Sequence, residues 1–244
     1  MRQVHVMFQS KGGVGKSYIA SLICQRYQRA GLGDKVLVLD LDPDSKTLSA
    51  HYKVGARFVS VTKADKVNID GPAFDRLFGE IMTEKRDIII DTGSRSATNV
   101  LQYLIGMGAA DLLAKHGAKL IAHTVLNAGA KKETLLNLQE VVKTLPESAD
   151  IYTWVNEYGE SKMVPEGTFG ESEAYKVVSK RIAKLCQLPQ PAGFGARDAA
   201  FVIEERLTYE EAIEHPEVEW AIKHRLGLWV PELNAEVDRM IAVG

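Results

Sequence analysis

One stretch constrains the fold of this 244-residue chain more than any other: Ser10-Lys11-Gly12-Gly13-Val14-Gly15-Lys16-Ser17. An apolar run, residues 4–8, precedes it, and a pattern with helical spacing follows from Lys16. The order strand, glycine-rich loop, helix is the context of a phosphate-binding loop. Glycines let backbone N–H groups turn inward, and a helix N-terminus adds partial positive charge. The stretch therefore predicts a cradle for phosphate oxygens.

The residue types within this loop predict separate roles. Lys16 can bridge terminal phosphates, and the hydroxyl of Ser17 can ligate Mg2+. The standard pattern, G-x-x-x-x-G-K-[ST], has glycine where this chain has Ser10, and Lys11 is an additional lysine at the front of the loop. The alternative is a glycine-rich turn without a ligand. That alternative is disfavoured because three glycines, the sequence GKS and both flanking patterns occur together.

Length and composition limit the class of protein. With 45% hydrophobic residues, 244 residues suffice for one α/β domain with a large core. The net charge of −2 gives no overall support to DNA binding, although a local basic patch is compatible with it. Cys24 and Cys186 have no metal-ligand spacing, which predicts reduced thiols in a cytoplasmic protein. No apolar run approaches a membrane span, and residues 1–9 read as a strand rather than a signal peptide.

Apolar runs alternate with helical patterns along most of the chain. Their order predicts a doubly wound, mostly parallel α/β sheet. We expect a single domain, 1–244, with an α/β core at 1–195 and helices packed on it at 196–244. After the first strand and loop, strands are predicted at 36–40, 87–91, 119–126 and 151–156. Helices are predicted at 16–30, 68–82, 97–114, 131–145 and 172–185, with three short helical pieces after residue 198.

Acidic residues follow two of the buried strands. Asp91 ends the run Ile88-Ile89-Ile90, a pattern typical of a Walker B carboxylate that holds Mg2+ directly or through water. The alternative is an acid that caps the next turn. Asp40 and Asp42 lie two residues apart at a strand end, so we expect them on one face of the same sheet edge. Their alternative is a pair of acids in a solvated loop.

The loop resembles the deviant Walker A box, K-G-G-x-G-K-[ST], of ParA/MinD-type ATPases. In that family the early lysine reaches across a dimer interface to the nucleotide of the partner subunit. The resemblance therefore implies a P-loop NTPase fold, ATP or ADP with Mg2+ as cofactors, and a homodimer held together by ATP. Lys11 would act in trans, and Lys16 would be the second catalytic lysine. Residues 12–18 would bind the nucleotide: Gly12, Gly13, Val14, Gly15, Lys16, Ser17 and Tyr18.

Further roles follow from the same resemblance. Family members carry D-x-D at the second strand end, and Pro43 matches the D-x-D-P form of ParA-like members. Asp42 would then orient the attacking water, and Asp40 would lie on the Mg2+ side together with Ser17 and Asp91. Asn156 resembles the adenine-reading residue of the family, since an amide both donates and accepts. The alternative interpretation of Asn156 is that asparagine is simply favoured at a turn after a strand end.

Tyr18 departs from the family pattern. The residue after the Mg2+ ligand is usually Thr or Ser, which touches the α-phosphate, and the longer tyrosine ring cannot reach that point. The resemblance therefore leaves two functions open. One is an ATPase that is slow or needs stimulation by a partner. The other is a nucleotide-dependent binding module with little turnover, which recruits a transfer or partition partner.

Within this family the whole chain is similar to the TraL-type proteins of conjugative plasmid transfer regions. The matching segments are K-G-G-V-G-K-S-Y-I-A, D-x-D-P, W-x-N-x-Y, residues 195–198 and residues 205–212. This similarity implies a protein partner from the conjugation or partition machinery. MinD proteins end in a basic membrane-targeting helix, and the predicted last helix, 231–243, contains one basic residue, Arg239.

The remaining polar residues give weaker predictions. The six histidines show no paired ligand spacing, so we expect scattered surface or core positions. Several lysines and one arginine lie in the predicted helix 172–185 and at the start of the helix before it. In one interpretation they form a basic face that could touch DNA. The other interpretation is a solvated surface. These residues are Lys131, Lys132, Lys176, Lys180, Arg181 and Lys184.

Overall fold

The computed structural model describes residues 1–157, 163, 168–191 and 193–243. In this part of the chain seven strands form one sheet with parallel pairing throughout. The strands are β1 (Arg2–Met7), β2 (Val36–Asp40), β3 (Arg57–Phe58), β4 (Asp87–Asp91), β5 (Ala118–Asn127), β6 (Asp150–Asn156) and β7 (Ile182–Gln187). Their order is β3-β2-β4-β1-β5-β6-β7, so β1 lies between β4 and β5. The predicted doubly wound α/β fold is confirmed.

Helices cover both faces of the sheet. The helices are α1 (Lys16–Arg29), α2 (Gly71–Thr83), α3 (Ala97–Gly106), α4 (Ala109–Lys115), α5 (Lys131–Thr144), α6 (Glu173–Val178), α7 (Gly195–Glu204), α8 (Tyr209–Glu214) and α9 (Trp220–Met240). One apolar core contains side chains of α2–α6, and the other contains side chains of α1, α7, α8 and α9. Because the central strands are buried on both faces, they read as continuous apolar runs rather than alternating ones.

Helix α2 begins at Gly71, inside the predicted segment 68–82, whereas the predicted helix at 97–114 is interrupted. Asp70 caps α2 by accepting a hydrogen bond from the N–H of Ala73, and Pro72 lies in the first turn. Between α3 and α4, Gly108 has a φ of 61°, a left-handed conformation that ends one helix before the next begins. The prediction of one continuous helix was therefore wrong.

The predicted helix at 172–185 was also wrong, because its last four residues, 182–185, belong to an edge strand. Only α6 and a short 3-10 turn, Ser179–Arg181, are helical, and β7 then pairs with β6 through Ile182 and Ile151. Strand pairing with β6 overrides the local helical pattern. Lys176, Lys180, Arg181 and Lys184 consequently do not share one helix face. They lie on α6, the 3-10 turn and β7, and Lys184 donates to the carbonyl of Met240 at 2.7 Å.

The last helix begins at Trp220 rather than at Pro231, which lies inside it. Proline is best tolerated in the first turn of a helix, where its missing N–H has no cost, but Pro231 lies in the interior of α9. Helices α7 and α9 are joined by a two-point ion pair, in which Arg225 donates to the buried carboxylate of Asp198 at 2.5 and 2.7 Å.

Within the described ranges no helix is both long and apolar enough to cross a membrane. The three glycines and one proline of residues 157–170 predict a loop, and most of that segment lies outside the described residues.

Candidate functional site

The loop between β1 and α1 adopts a conformation that only its glycines permit. Gly13 and Gly15 have φ angles of 75° and 104°. A Cβ atom on Gly15 would lie 2.6 Å from Nδ2 of Asn156, so this position requires the space as well as the conformation of glycine. No side chain from the described residues caps α1 at Gly15. The first N–H groups of α1 are therefore available to an anion.

Lys16 and Asp91 form a buried ion pair under this loop. The Nζ–Oδ1 distance is 3.1 Å, and the side chains are 7% and 0% exposed. Burial raises the pKa of Asp91, and the positive charge of Lys16 opposes that rise. The second oxygen of Asp91, Oδ2, is buried and makes no hydrogen bond to the described part of the chain. The Ser17 side chain also interacts with this carboxylate and lowers its pKa. A buried carboxylate beside a hydroxyl, with one oxygen left without a hydrogen bond, fits Mg2+ or one of its bound waters.

Asp40 lies beside Asp91 at the same sheet edge, because the two residues are register partners of β2 and β4. Both oxygens of Asp40 accept backbone N–H groups: Oδ1 from Asp42 at 2.9 Å and Oδ2 from Ser49 at 2.8 Å. Asp40 therefore orders the chain that follows β2. Its place on the Mg2+ side stays a prediction.

Asp42 is almost fully buried and points into the same region. Its oxygens accept the hydroxyl of Ser45 at 2.6 Å and the N–H of Asp44 at 2.9 Å. Burial by itself raises the pKa of Asp42, but these hydrogen bonds and the charge of Lys16 outweigh it, so the pKa lies below its ordinary value. The carboxylate is ionised at neutral pH and within electrostatic range of Lys16.

Asn156 ends β6 beside the loop. Its Nδ2 donates to the carbonyl of Val14 at 3.0 Å, and the carbonyl of Asn156 accepts from Asn127 at 3.2 Å. The side chain therefore holds the second half of the loop against the sheet. The predicted contact to adenine stays a prediction.

Tyr18 directs its hydroxyl to the C-terminal helices instead of to the loop. The hydroxyl lies 2.9 Å from that of Tyr209 at the start of α8. Burial raises the pKa of Tyr18 to about 12, partly opposed by this hydrogen bond. About two turns further along α1, Gln25 accepts the backbone N–H of Tyr209 at 3.1 Å. The residue that departs from the family pattern thus connects α1 to α8.

Lys11 lies at the surface near the start of α5. Its Nζ is 4.0 Å from Glu133, and the two side chains are 45% and 56% exposed. An exposed pair at this distance is worth about 0–1 kcal/mol. Lys11 is therefore held only weakly within its own chain.

The family model for the CobQ/CobB/MinD/ParA nucleotide binding domain matches residues 6–167, the segment that contains all of these side chains except Tyr209. The chain belongs to the CobQ/CobB/MinD/ParA nucleotide-binding family. Two relatives from Escherichia coli, each named Protein TraL, are 30% and 29% identical over 242 residues, which is 98% of this chain and 98% of each relative. The predicted resemblance to ParA/MinD-type and TraL-type proteins is confirmed.

Two solved structures share the fold of this CobQ/CobB/MinD/ParA family member. The MinC:MinD cell division protein complex of Aquifex aeolicus aligns with a TM-score of 0.51 and 16% identity, over 94% of this chain and 96% of that one. The MinD cell division protein of Aquifex aeolicus aligns with a TM-score of 0.50 and 14% identity, over 94% and 97%. At these identities the likeness concerns the fold alone.

In this CobQ/CobB/MinD/ParA family member, sequence reasoning missed two residues that hold the loop. Thr92 donates its hydroxyl to the carbonyl of Met7 at 2.5 Å, which joins the ends of β1 and β4. Asn137 of α5 contacts the residues just before the glycines. The sequence offers one signal for Asn137. Asparagine is a poor helix former, so an asparagine in a helix interior indicates that its side chain makes a tertiary contact.

The sequence also did not predict that two histidines pair inside the sheet. Nδ1 of His5 lies 2.9 Å from Nε2 of His123, whose Nδ1 accepts from Nε1 of Trp154 at 2.9 Å. Both histidines are fully buried, and burial lowers the pKa of His5 to about 3 and that of His123 well below its ordinary value. Both are therefore neutral in the folded protein at pH 7.

We expect acid to destabilise the fold through this pair. The unfolded histidines take up protons below about pH 6.5 and the folded ones do not, so stability is lost as the pH falls from 6.5 towards 3. At pH 4 the low pKa of folded His5 reduces the free energy of unfolding by about 3 kcal/mol relative to neutral pH. Urea unfolding at several pH values measures this loss. His5→Gln should flatten the pH profile between 6.5 and 4, and an unchanged profile would contradict the assignment.

Proposed function

We propose that this protein is an ATP-dependent switch that binds ATP and Mg2+ in the loop of residues 10–18, dimerises around the nucleotide and hydrolyses it slowly or on stimulation by a partner. One observation carries the proposal: the first N–H groups of α1, which no side chain of the described residues caps, lie at the carboxyl edge of a parallel sheet together with the buried Lys16–Asp91 pair. Membership of a nucleotide-binding family supports it.

Binding would follow from an exchange of ionic partners. Lys16 leaves Asp91 for the terminal phosphates, while the backbone N–H groups of residues 12–18 bind phosphate oxygens. At Tyr18 only the backbone serves this purpose, because its hydroxyl is bonded to Tyr209. Asp91 then needs another positive charge, and together with Ser17 it would hold Mg2+, which neutralises phosphate charge.

For hydrolysis we assign Asp42 to orientation of the attacking water, and we keep Asp40 beside Asp91 as the acid on the Mg2+ side. Asp42→Asn should lower the rate of phosphate release at least about tenfold, because the variant keeps its size but loses a strong acceptor. The matched control is Asp44→Asn in the same loop, whose carboxylate pairs with Lys66 at 3.1 Å. Equal rates in the two variants would contradict the role of Asp42.

The dimer depends on Lys11 in this proposal. The lysine would release Glu133 and reach the phosphates bound to a partner subunit, so Lys11→Ala should lose the dimer. Sedimentation with a non-hydrolysable ATP analogue measures this, and the wild type should sediment as a dimer. Lys132→Ala, beside Glu133 on α5, is the control and should stay dimeric. A monomeric wild type, or a dimeric Lys11→Ala variant, would contradict the trans role.

A second candidate is a nucleotide-dependent binding module with negligible turnover. It is favoured by the contacts of Asp42, whose two oxygens are already occupied by Ser45 and Asp44. Phosphate release decides between the two candidates. A wild type that releases no more phosphate than Asp42→Ala, with partners present, would favour the binding module.

We infer that the switch acts in plasmid conjugative transfer or in partition-like positioning, in the cytoplasm, with a protein partner from that machinery. The full-length similarity to two proteins named TraL supports this. We also propose that 1–244 is one domain, since the Tyr18–Tyr209 bond and the Arg29–Asp238 pair, at 2.6 Å, join α1 to the C-terminal helices. A loss of transfer in a deletion strain, restored by the wild type and not by Lys16→Ala, would support the process.

A further inference from the structure

Ser10 starts the loop at the position where the standard pattern has glycine, and its polar groups share one partner. Its backbone N–H and its hydroxyl both donate to Oδ1 of Asn137, at 3.1 Å and 3.0 Å. Asn137 lies in α5, 127 positions further along the chain. The start of the loop is therefore tied to a helix distant in sequence.

The same amide bonds the two residues before Ser10. Nδ2 of Asn137 donates to the carbonyl of Phe8 at 2.9 Å and to Oε1 of Gln9 at 3.1 Å. A side-chain amide offers two donor hydrogens and an oxygen with two lone pairs. All of this capacity is spent on three consecutive residues. Asn137 is only 6% exposed, so water competes little for these bonds.

The next residue, Leu138, lies on the core side of α5 rather than at the loop, since it is 1% exposed and packs beneath the helix. Gln9 also accepts the backbone N–H of Val125 at 3.3 Å, which extends the network to β5. Glu133 precedes Asn137 by four positions and therefore lies on the same helix face, where it meets Lys11. One face of α5 thus contacts the first half of the loop.

We propose that Asn137 is a positioning residue of the nucleotide site, which fixes the first half of the loop so that its backbone N–H groups are oriented before phosphate arrives. The inference rests on the proposed function. Asn156 holds Val14 on the other side, so the segment with Gly12 and Gly13 is fixed at both ends. A glycine-rich segment fixed in this way loses less conformational entropy on binding.

Two variants test this role. Asn137→Asp keeps the size and the acceptor for Ser10, but it places a second acceptor against Phe8 and Gln9. We expect the ATP dissociation constant to rise at least about tenfold. Ser10→Ala removes one hydrogen bond at the loop itself, and we expect a rise of about two- to fivefold. In both variants, amide hydrogen exchange at residues 10–13 should accelerate without nucleotide present.

Leu138→Ala is the matched control, because it weakens the packing of α5 without touching the loop. Its unfolding midpoint should fall, while its ATP dissociation constant stays within about twofold of the wild type. The proposal is overturned if Asn137→Asp binds ATP as the wild type does, or if Leu138→Ala weakens binding equally. If Asn137→Asp does not fold, unchanged binding and exchange in Ser10→Ala overturn it. A wild type that binds no ATP overturns the proposed function as well.

Discussion

Replacing Lys16 with alanine should weaken ATP binding by at least about a hundredfold, since a buried ammonium group makes charge-assisted hydrogen bonds worth about 1.5–3 kcal/mol each. The loss is larger than that of one contact. Without Lys16, the carboxylate of Asp91 faces the incoming phosphates with no intervening positive charge, and both groups are shielded from water. Calorimetric titration with ATP and Mg2+ measures the effect.

The same substitution should also destabilise the fold, and a second variant separates the two effects. Removing one partner of a buried ion pair costs about 3–5 kcal/mol, because the other charge stays buried. The double variant Lys16→Met with Asp91→Asn removes both charges and should regain most of the lost unfolding midpoint. It should not regain ATP binding. A double variant that binds ATP normally would show that Lys16 serves stability alone.

Gly15→Ala should have the second large effect, with loss of ATP binding and lower stability together. The φ of 104° is strained for alanine, and the new methyl group would lie 2.6 Å from Nδ2 of Asn156. Either Asn156 releases Val14 or the loop changes course. In both cases the N–H groups that would bind phosphate are misplaced, so titration with ATP should detect no binding.

Gly31→Ala is the control for backbone strain. Gly31 has a φ of 70°, and a Cβ atom there would have no atom of the described residues within 4 Å. This variant should lose about 1–2 kcal/mol of stability and keep its ATP affinity. If Gly15→Ala binds ATP as well as Gly31→Ala does, the loop is not the nucleotide site.

The parts of the site that could be predicted are those in which short segments carry their own geometry. The loop from Ser10 to Ser17 has a fixed spacing, and Asp40 and Asp91 each end a buried strand. Since parallel strands bring their carboxyl ends to one edge, these residues had to lie close together once the sheet formed. The register of β2 and β4 places the two acids opposite each other.

The parts that could not be predicted depend on contacts between distant segments. Strand β7 is defined by pairing with β6, and its own sequence reads equally well as the end of a helix. Asn137 and the pairing of His5 with His123 have no local pattern, because their partners lie more than a hundred positions away. Local rules describe the loop, whereas the residues that hold it are visible only in the folded chain.

Tyr18 illustrates the same limit. The sequence shows that a tyrosine replaces a smaller hydroxyl residue, but it does not show where the ring goes. The hydroxyl bonds to Tyr209, whose ring meets that of Trp229 edge-on with centroids 5.3 Å apart. The departure at the loop is therefore part of the packing between α1 and the C-terminal helices.

A crystal structure of the protein with Mg2+ and a non-hydrolysable ATP analogue tests the central claim most directly. We predict phosphate oxygens on the N–H groups of residues 12–18, with Lys16 moved from Asp91 to the phosphates. We also predict Mg2+ between Ser17 and Asp91, and Lys11 of each subunit at the nucleotide of the other. A nucleotide bound elsewhere, or a loop without ligand in which Lys16 still contacts Asp91, would contradict the account.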